Sequence, residues 1–159
     1  MWDRAGGFAS PTRYAVGFAE KDGFSYPETV TLPSRSFNLY VDAMYGTIRQ
    51  YPYKKLYNDQ IVMTFAIDEY QYIREYFEKR MDDLITSSES VFPWNTKHGE
   101  LSNMWIWTLD ANDESSSVFA IEGSYPVQII PTNYGYGMLN EYAKLQVTFN
   151  YRKYLHWIT

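Results

Sequence analysis

Hydrophobic and polar residues alternate with period two over several stretches of this chain, and with the period of a helix over one. Tyr14, Val16 and Phe18 alternate with Arg13, Ala15 and Gly17, predicting a strand over residues 12–19 with one apolar face. Lys21-Asp22-Gly23 reads as the turn that follows. Residues 24–33 are interrupted by Pro27 and Pro33, so they supply at most an edge strand or extended loop. From residue 36 to 44, Phe37, Leu39, Val41 and Ala43 face one way and Ser36, Asn38, Tyr40 and Asp42 the other, the pattern of a half-buried strand lying against the helix and the remaining sheet. Gly46 marks a kink, and residues 47–53 extend the sheet until Pro52 stops regular pairing. Ile61, Met63, Phe65 and Ile67 form one face of a further strand.

The single helix predicted spans about residues 69–85. Ile73, Tyr76, Phe77, Met81 and Leu84 make its apolar stripe, Glu75, Glu78, Lys79 and Asp82 its charged face, and Asp68 with Gln71 three positions on forms a capping arrangement. Such a helix belongs on a sheet, as a plug or flank. Residues 86–103 are polar and broken by Pro93 and Gly99, which predicts a long surface excursion. Trp105, Trp107 and Leu109 then begin a strand, Asp110–Ser117 is a polar turn, and Val118–Gly123 returns as its hairpin partner. Residues 125–137 read as a loop with brief pairing at 127–130. Ala143, Leu145, Val147, Phe149 and Tyr151 alternate with polar residues in a long closing strand to Arg152. Strands, one helix, then strands define an α+β, mainly β domain: an antiparallel sandwich or split barrel with one flanking helix. At 159 residues the chain is one domain, 1–159, with residues 1–11 as an N-terminal arm and residues 45–59 and 87–103 as protruding loops.

Composition changes this picture in one respect. Aromatic residues make up 19% of the chain, with 16 tyrosines, more than a core of this size uses. Surface tyrosine, with a large apolar ring and a polar tip, favours contacts between proteins, so self-association is expected. The net charge of −5 argues against a grip on phosphates. The absence of cysteine excludes disulfides and thiolate metal sites. No basic-then-apolar leader and no apolar run near the roughly 20 residues that span a bilayer are present, so no membrane insertion is expected.

Candidate chemistry is sparse. His98 and His156 lack the close carboxylate spacing of a metal site and read as surface and strand-end residues. Asp110-Ala111-Asn112-Asp113-Glu114 opens like a calcium loop, but its sixth position is Ser115 where glycine is needed and its twelfth is Ile121, which makes it a solvated turn. Gly135-Tyr136-Gly137 has no following helix to cradle a phosphate. No catalytic residue, metal site or cofactor is expected. Clusters such as Tyr51, Tyr53 and Tyr57 suit stacking on nucleic acid or sugar, yet an acidic chain lacks the basic groove for nucleic acid. A carbohydrate-binding sandwich and, last, an enzyme with a spatially assembled acid/base pair stand as readings from other classes.

A resemblance runs along most of the chain. It is carried by Phe8-Ala9-Ser10-Pro11-Thr12-Arg13-Tyr14, Val30-Thr31-Leu32-Pro33, Tyr57-Asn58-Asp59 leading into Ile61-Val62-Met63-Thr64-Phe65, and Ile73-Arg74-Glu75-Tyr76-Phe77. Phe119-Ala120-Ile121-Glu122-Gly123-Ser124-Tyr125-Pro126 and Leu145-Gln146-Val147-Thr148-Phe149-Asn150-Tyr151 complete it. In this order they resemble the tail tube proteins of contractile-tailed bacteriophages, relatives of the tube proteins of contractile injection systems and type VI secretion. The excursion at 87–103 matches nothing in that pattern.

The resemblance implies six-membered rings stacked into a hollow tube, with strands of neighbouring subunits joined into one inner barrel. It implies as partners other copies of the chain, a sheath protein, a baseplate tube initiator, a tape measure protein and double-stranded DNA in transit, within a virion tail assembled in the host cytoplasm. Ser36, Asn38, Asp42, Gln146, Thr148 and Asn150 are then the expected lumen lining, part of an acidic, polar wall that lets DNA slide. Trp2, Phe8, Tyr45, Tyr51, Tyr53, Tyr57, Trp94, Tyr134 and Tyr136 are the expected contacts between subunits. A baseplate initiator or a tube terminator is the neighbouring reading.

Overall fold

In the computed structural model, residues 11–18, 24–25, 27–57, 60–84, 102–130, 134–136 and 141–159 are described. The N-terminal arm to residue 10, the turn at 21–23 and the excursion up to residue 101 lie outside them, and with them Trp2, Phe8 and Trp94.

Among the described residues ten strands and one helix follow one another: β1 (Tyr14–Phe18), β2 (Phe24–Ser25), β3 (Thr29–Val30), β4 (Ser36–Asp42), β5 (Arg49–Leu56), β6 (Ile61–Ala66), α1 (Tyr72–Leu84), β7 (Ser102–Leu109), β8 (Ser115–Ile130), β9 (Lys144–Asn150) and β10 (Lys153–Ile158). All the pairings are antiparallel. β8 organises the domain. Its first part lies between β7 and β10 in the order β2-β1-β7-β8-β10, and its last six residues pair β9 in the order β8-β9-β6-β3. The changeover falls at Gly123, whose φ of 67° is the left-handed conformation that glycine adopts without a Cβ penalty. One strand therefore serves two layers, and the sheets stay open instead of closing into a barrel.

The apolar faces of the two layers meet in one core. Val16, Met104, Ile106 and Ile121 come from the first layer and Ile61, Met63, Phe65, Leu145, Val147 and Phe149 from the second. Phe77 of α1 inserts between the layers, its ring 5.3 Å from Phe65, 5.5 Å from Phe149 and 6.1 Å from Phe18. The helix keeps the expected stripe: Phe77 and Leu84 are buried, Ile73, Tyr76 and Met81 half-buried, and Glu75, Glu78, Lys79 and Asp82 exposed. It starts at Tyr72, later than expected, and the expected capping arrangement is not formed: Gln71, at φ 55°, stands before the first turn, where its carbonyl accepts from Glu75 N at 3.0 Å, and Asp68 Oδ1 accepts from Tyr72 N at 3.0 Å.

Four further expectations change. Among the described residues the strand at 36–44 does not lie on the main sheet: β4 pairs only β5, as a separate two-stranded hairpin, leaving Phe37 52%, Leu39 49% and Val41 50% exposed. β5 runs through Pro52 to Leu56, because a register shift between Asn38 and Leu39 accommodates a proline on a strand with a free edge. The brief pairing expected at 127–130 is present, but not within a loop: β8 runs unbroken through Tyr125 and Pro126 to Ile130, the proline taken up at another register shift. The closing strand breaks after Asn150 and resumes as β10 along the same edge of β8. In β7 the core takes Met104 and Ile106, while Trp105 and Trp107 stack on the opposite face, centroids 6.4 Å apart.

Gly17 shows how closely that opposite face is packed. A Cβ there would lie 2.8 Å from the Trp107 ring. Gly17→Ala is expected to destabilise the fold by about 1–3 kcal/mol, measured by denaturant unfolding, through overpacking of a buried position.

Candidate assembly interface

The β4–β5 hairpin stands out from the body on a rooted base. Before β4, Ser34 O accepts from Tyr151 Oη at 3.1 Å, and Arg35 Nε donates to Tyr154 Oη at 3.0 Å with its guanidinium 4.8 Å over the Tyr154 ring. After β5, Tyr57 packs edge-on against Tyr154 at 5.6 Å. Both legs thus hold the point where β9 gives way to β10, and the ring of Tyr57 is used inside its own chain. Beyond the root the hairpin is uncovered on both faces: Phe37, Leu39 and Val41 on one, the cross-strand pair Tyr40 and Tyr51 on the other. At its tip Asp42 Oδ1 accepts from Met44 N at 3.2 Å and Gly46 turns with φ 84°, leaving Met44 84% and Tyr45 94% exposed. A lone two-stranded hairpin is only marginally stable in water, and contiguous exposed apolar surface marks an interaction site.

A second uncovered element is the margin of the first layer. Among the described residues β10 pairs only β8, and Leu155, Trp157 and Ile158 along it are exposed. Its outer backbone edge is a template for another strand. Sequence reading ended the last strand at Arg152 and missed this edge. The signal was present in Leu155 and Trp157, which alternate with Tyr154 and His156.

The expected lumen residues fall into two groups. Gln146, Thr148 and Asn150 share the face of β9 turned away from Leu145, Val147 and Phe149, with Thr64 and Ile130 flanking Gln146 and Val62 and Gln128 flanking Thr148. Asn150 Nδ2 donates to Tyr125 Oη at 3.5 Å, and Thr148 is buried in the single chain. Ser36, Asn38 and Asp42 sit on the hairpin, so the structure does not join all six on one face of one chain. Of the expected contact residues, Tyr45, Tyr51, Tyr53, Tyr134 and Tyr136 are exposed.

Ion pairs secure the margins of this framework. Glu122 accepts from Lys153 at 3.0 Å and Arg152 at 3.3 Å where β8 changes layers. Glu28 ties the β3 margin to the segment before β9, accepting from the Tyr142 hydroxyl and from Lys144 Nζ at 2.9 Å. Those two donors hold the Glu28 carboxyl below its ordinary value of 4.5, the tyrosine contributing more. A carboxylate depressed by folding stabilises at pH above its unfolded value, and the contribution disappears as pH falls through the folded one. Wild type is therefore expected to exceed Glu28→Gln in stability at neutral pH and to lose that advantage below about pH 4, read from unfolding midpoints across an acid series.

Among the described residues, no group of three or more His, Asp or Glu is placed to hold a metal ion. The Asp110–Glu114 segment is a tight turn, in which Asp110 Oδ1 accepts from the amides of Asn112 and Glu114 at 2.7 and 3.0 Å. Asp110 spends its carboxylate on the backbone. His156 stacks on Phe119 with ring centroids 4.3 Å apart.

Comparison with known proteins agrees with this geometry. No curated protein matches the chain in sequence. Among solved structures, the chain is similar to one from the anti-feeding prophage baseplate, with TM-score 0.71 at 11% identity, covering 95% of this chain and 96% of that one. It is similar to another from the tube-terminating cap of the same particle, with TM-score 0.69, 12% identity and 100% of both chains covered. A third likeness is to the sheath–tube complex of an extracellular contractile injection system, PVC, in its extended state, with TM-score 0.65, 12% identity and coverage of 93% and 90%. At such identities these likenesses speak for the fold. The family described as phage tail tube protein matches residues 13–156, nearly the entire chain, and to that family this protein belongs.

Proposed function

We propose that this chain is the subunit of the inner tube of a contractile tail, closing six at a time into rings that stack into a hollow conduit for double-stranded DNA on its way into the host. The observation that carries the reading is the hairpin: a rooted, two-stranded projection whose apolar residues have no cover in their own chain among the described residues. A neighbouring copy supplies that cover, and the free edge of β10 supplies backbone pairing for lateral closure. Tyr45, Tyr51, Tyr53, Tyr134 and Tyr136 add tyrosine surface to these contacts.

The face bearing Gln146, Thr148 and Asn150, with Thr64 and Gln128 beside it, suits a bore. Its neutral side chains offer phosphates no cationic grip, and an acidic chain keeps DNA from adhering. Ser36, Asn38 and Asp42 extend this lining once neighbouring copies are placed. A sheath outside, a baseplate initiator at one end and a tape measure protein within complete the set of partners, in a virion tail assembled in the host cytoplasm.

Similar likeness to baseplate, cap and sheath–tube structures brings in a second reading, an initiator or terminator of the tube. Electron microscopy of the purified chain separates the two. Long six-fold tubes are expected. Single rings that never stack assign the chain to an end of the tube, and a monomer at high concentration, alone or mixed with its sheath, overturns both readings.

A further inference from the structure

The exposed hairpin tip needs a seat, and the body has a recess of suitable chemistry. An open cleft of about 440 Å³ lies between the start of β1, the β3 margin and the end of β7. Tyr14, Val30 and Leu109 line it, with Pro11 and Leu32 among its other walls. Most of its polar groups, Arg13, Tyr14, Glu28 and Thr108, are already engaged within the chain. The Tyr14 hydroxyl donates to Pro27 O at 2.6 Å, Arg13 binds the carbonyls of Asp110 and Ala111 at 3.1 and 2.8 Å and the Asp113 carboxylate at 2.8 Å, and Glu28 is held by Tyr142 and Lys144. What the cleft offers an incoming group is therefore mainly apolar contact.

Charge points to the same occupant. From Ser36 to Leu56 the hairpin carries Arg49, Lys54 and Lys55 against Asp42 alone, a net +2 in a chain of −5, so the rest of the molecule carries −7. Beside the cleft, the turn after β7 presents Asp110, Asp113 and Glu114, which outnumber Arg13. A basic projection with an apolar tip thus complements an apolar recess with an acidic margin. The volume lies in the range of pockets that receive a few side chains.

We infer that the cleft between β1, β3 and β7 receives the hairpin tip of a second copy of this chain, with Met44, Tyr45 and Ile48 in the recess and Arg49, the basic residue of β5 next to the tip, toward the 110–114 turn. The inference rests on the tube reading and specifies one of its interfaces. Projection and recess lie on different parts of the surface, so the contact is heterologous, and repetition carries it from copy to copy into a ring or a stack.

The absence of cysteine gives a direct test. Tyr45→Cys protein is mixed with Leu32→Cys protein under mild oxidation, and a parallel mixture uses Leu155→Cys, an exposed position on β10 away from the cleft. A disulfide requires Cα atoms within about 7 Å, so it reports contact rather than loose proximity. The Tyr45–Leu32 hybrid is expected to exceed the Tyr45–Leu155 hybrid by about tenfold, with Ile48→Cys repeating the result should Tyr45→Cys disturb assembly. Arg49→Glu, beside the tip, and Glu114→Lys are each expected to lower the yield about two- to fivefold, and their combination to restore it, the size typical of an exposed charge pair. If microscopy shows rings or tubes but the Leu32 hybrid does not dominate, the seat is wrong and the tube reading stands. If no assembly forms under any condition, both fall.

Discussion

Aspartate at both Leu39 and Val41 is expected to leave the subunit folded and to stop it assembling. Both residues lie on β4, which belongs to the hairpin and contributes nothing to the core cluster, and both are about half exposed. The unfolding free energy should therefore change by no more than about 0.5 kcal/mol, as for surface sites generally. Assembly is different. Covering the remaining surface of two such side chains contributes roughly 1.5–3 kcal/mol per contact, from a full value of about 1.5–3 kcal/mol for each. That alone weakens each contact by about 10- to 150-fold, and burial of two unpaired carboxylates adds to the loss. In the proposed assembly each contact recurs around a ring and along a tube, so the expected sample is monomeric by sedimentation and shows no tubes by microscopy. Tubes at wild-type concentrations would mean that this face is not an interface. A subunit that unfolds would mean that the hairpin belongs to the cooperative core.

Phe77→Ala is expected to produce the largest loss of stability. Its ring is the common neighbour of Phe18, Phe65 and Phe149 and connects the helix to both layers. Deleting it removes the burial of an almost fully enclosed ring and leaves a cavity among residues held by two sheets, which limits relaxation. The cost is about 3–5 kcal/mol, a large fraction of the 5–15 kcal/mol typical of whole domains. For a chain of this size the melting temperature falls by about 10 °C. Assembly would mask part of the effect by mass action, so the comparison belongs in the Leu39→Asp/Val41→Asp background, where both proteins are monomeric. A loss below about 1 kcal/mol would show that α1 opens independently of the sheets.

Much of the fold was legible in residue patterns. The strand around Val16, the strand Ile61–Ala66 and the helix stripe at Ile73, Phe77 and Leu84 were all expected and lie where their periodicity put them. Each has local causes: period two for a face on a sheet, 3.6 for a face on a helix, and Asp68 for the helix start. Errors gathered where the outcome depends on distant partners. Tyr125 and Pro126 read as the start of a loop with only brief pairing at 127–130, yet a register shift opposite β9 absorbs the proline and β8 runs on into the second layer. The break after Asn150 was invisible because β9 and β10 follow the same edge of β8 on either side of its bend at Gly123.

By itself, the sequence determined which residues avoid water: the alternation at Phe37, Leu39 and Val41 announces a face to be covered as clearly as that at Leu145, Val147 and Phe149. Only the tertiary structure decided that Phe149 is covered by Phe18 and Phe77, while Leu39 stays half exposed on a separate hairpin. Transfer of apolar surface out of water has no direction and no memory of which chain provides the cover. Periodicity therefore reports the need for a partner, and long-range pairing determines whether that need is met within the chain or between copies.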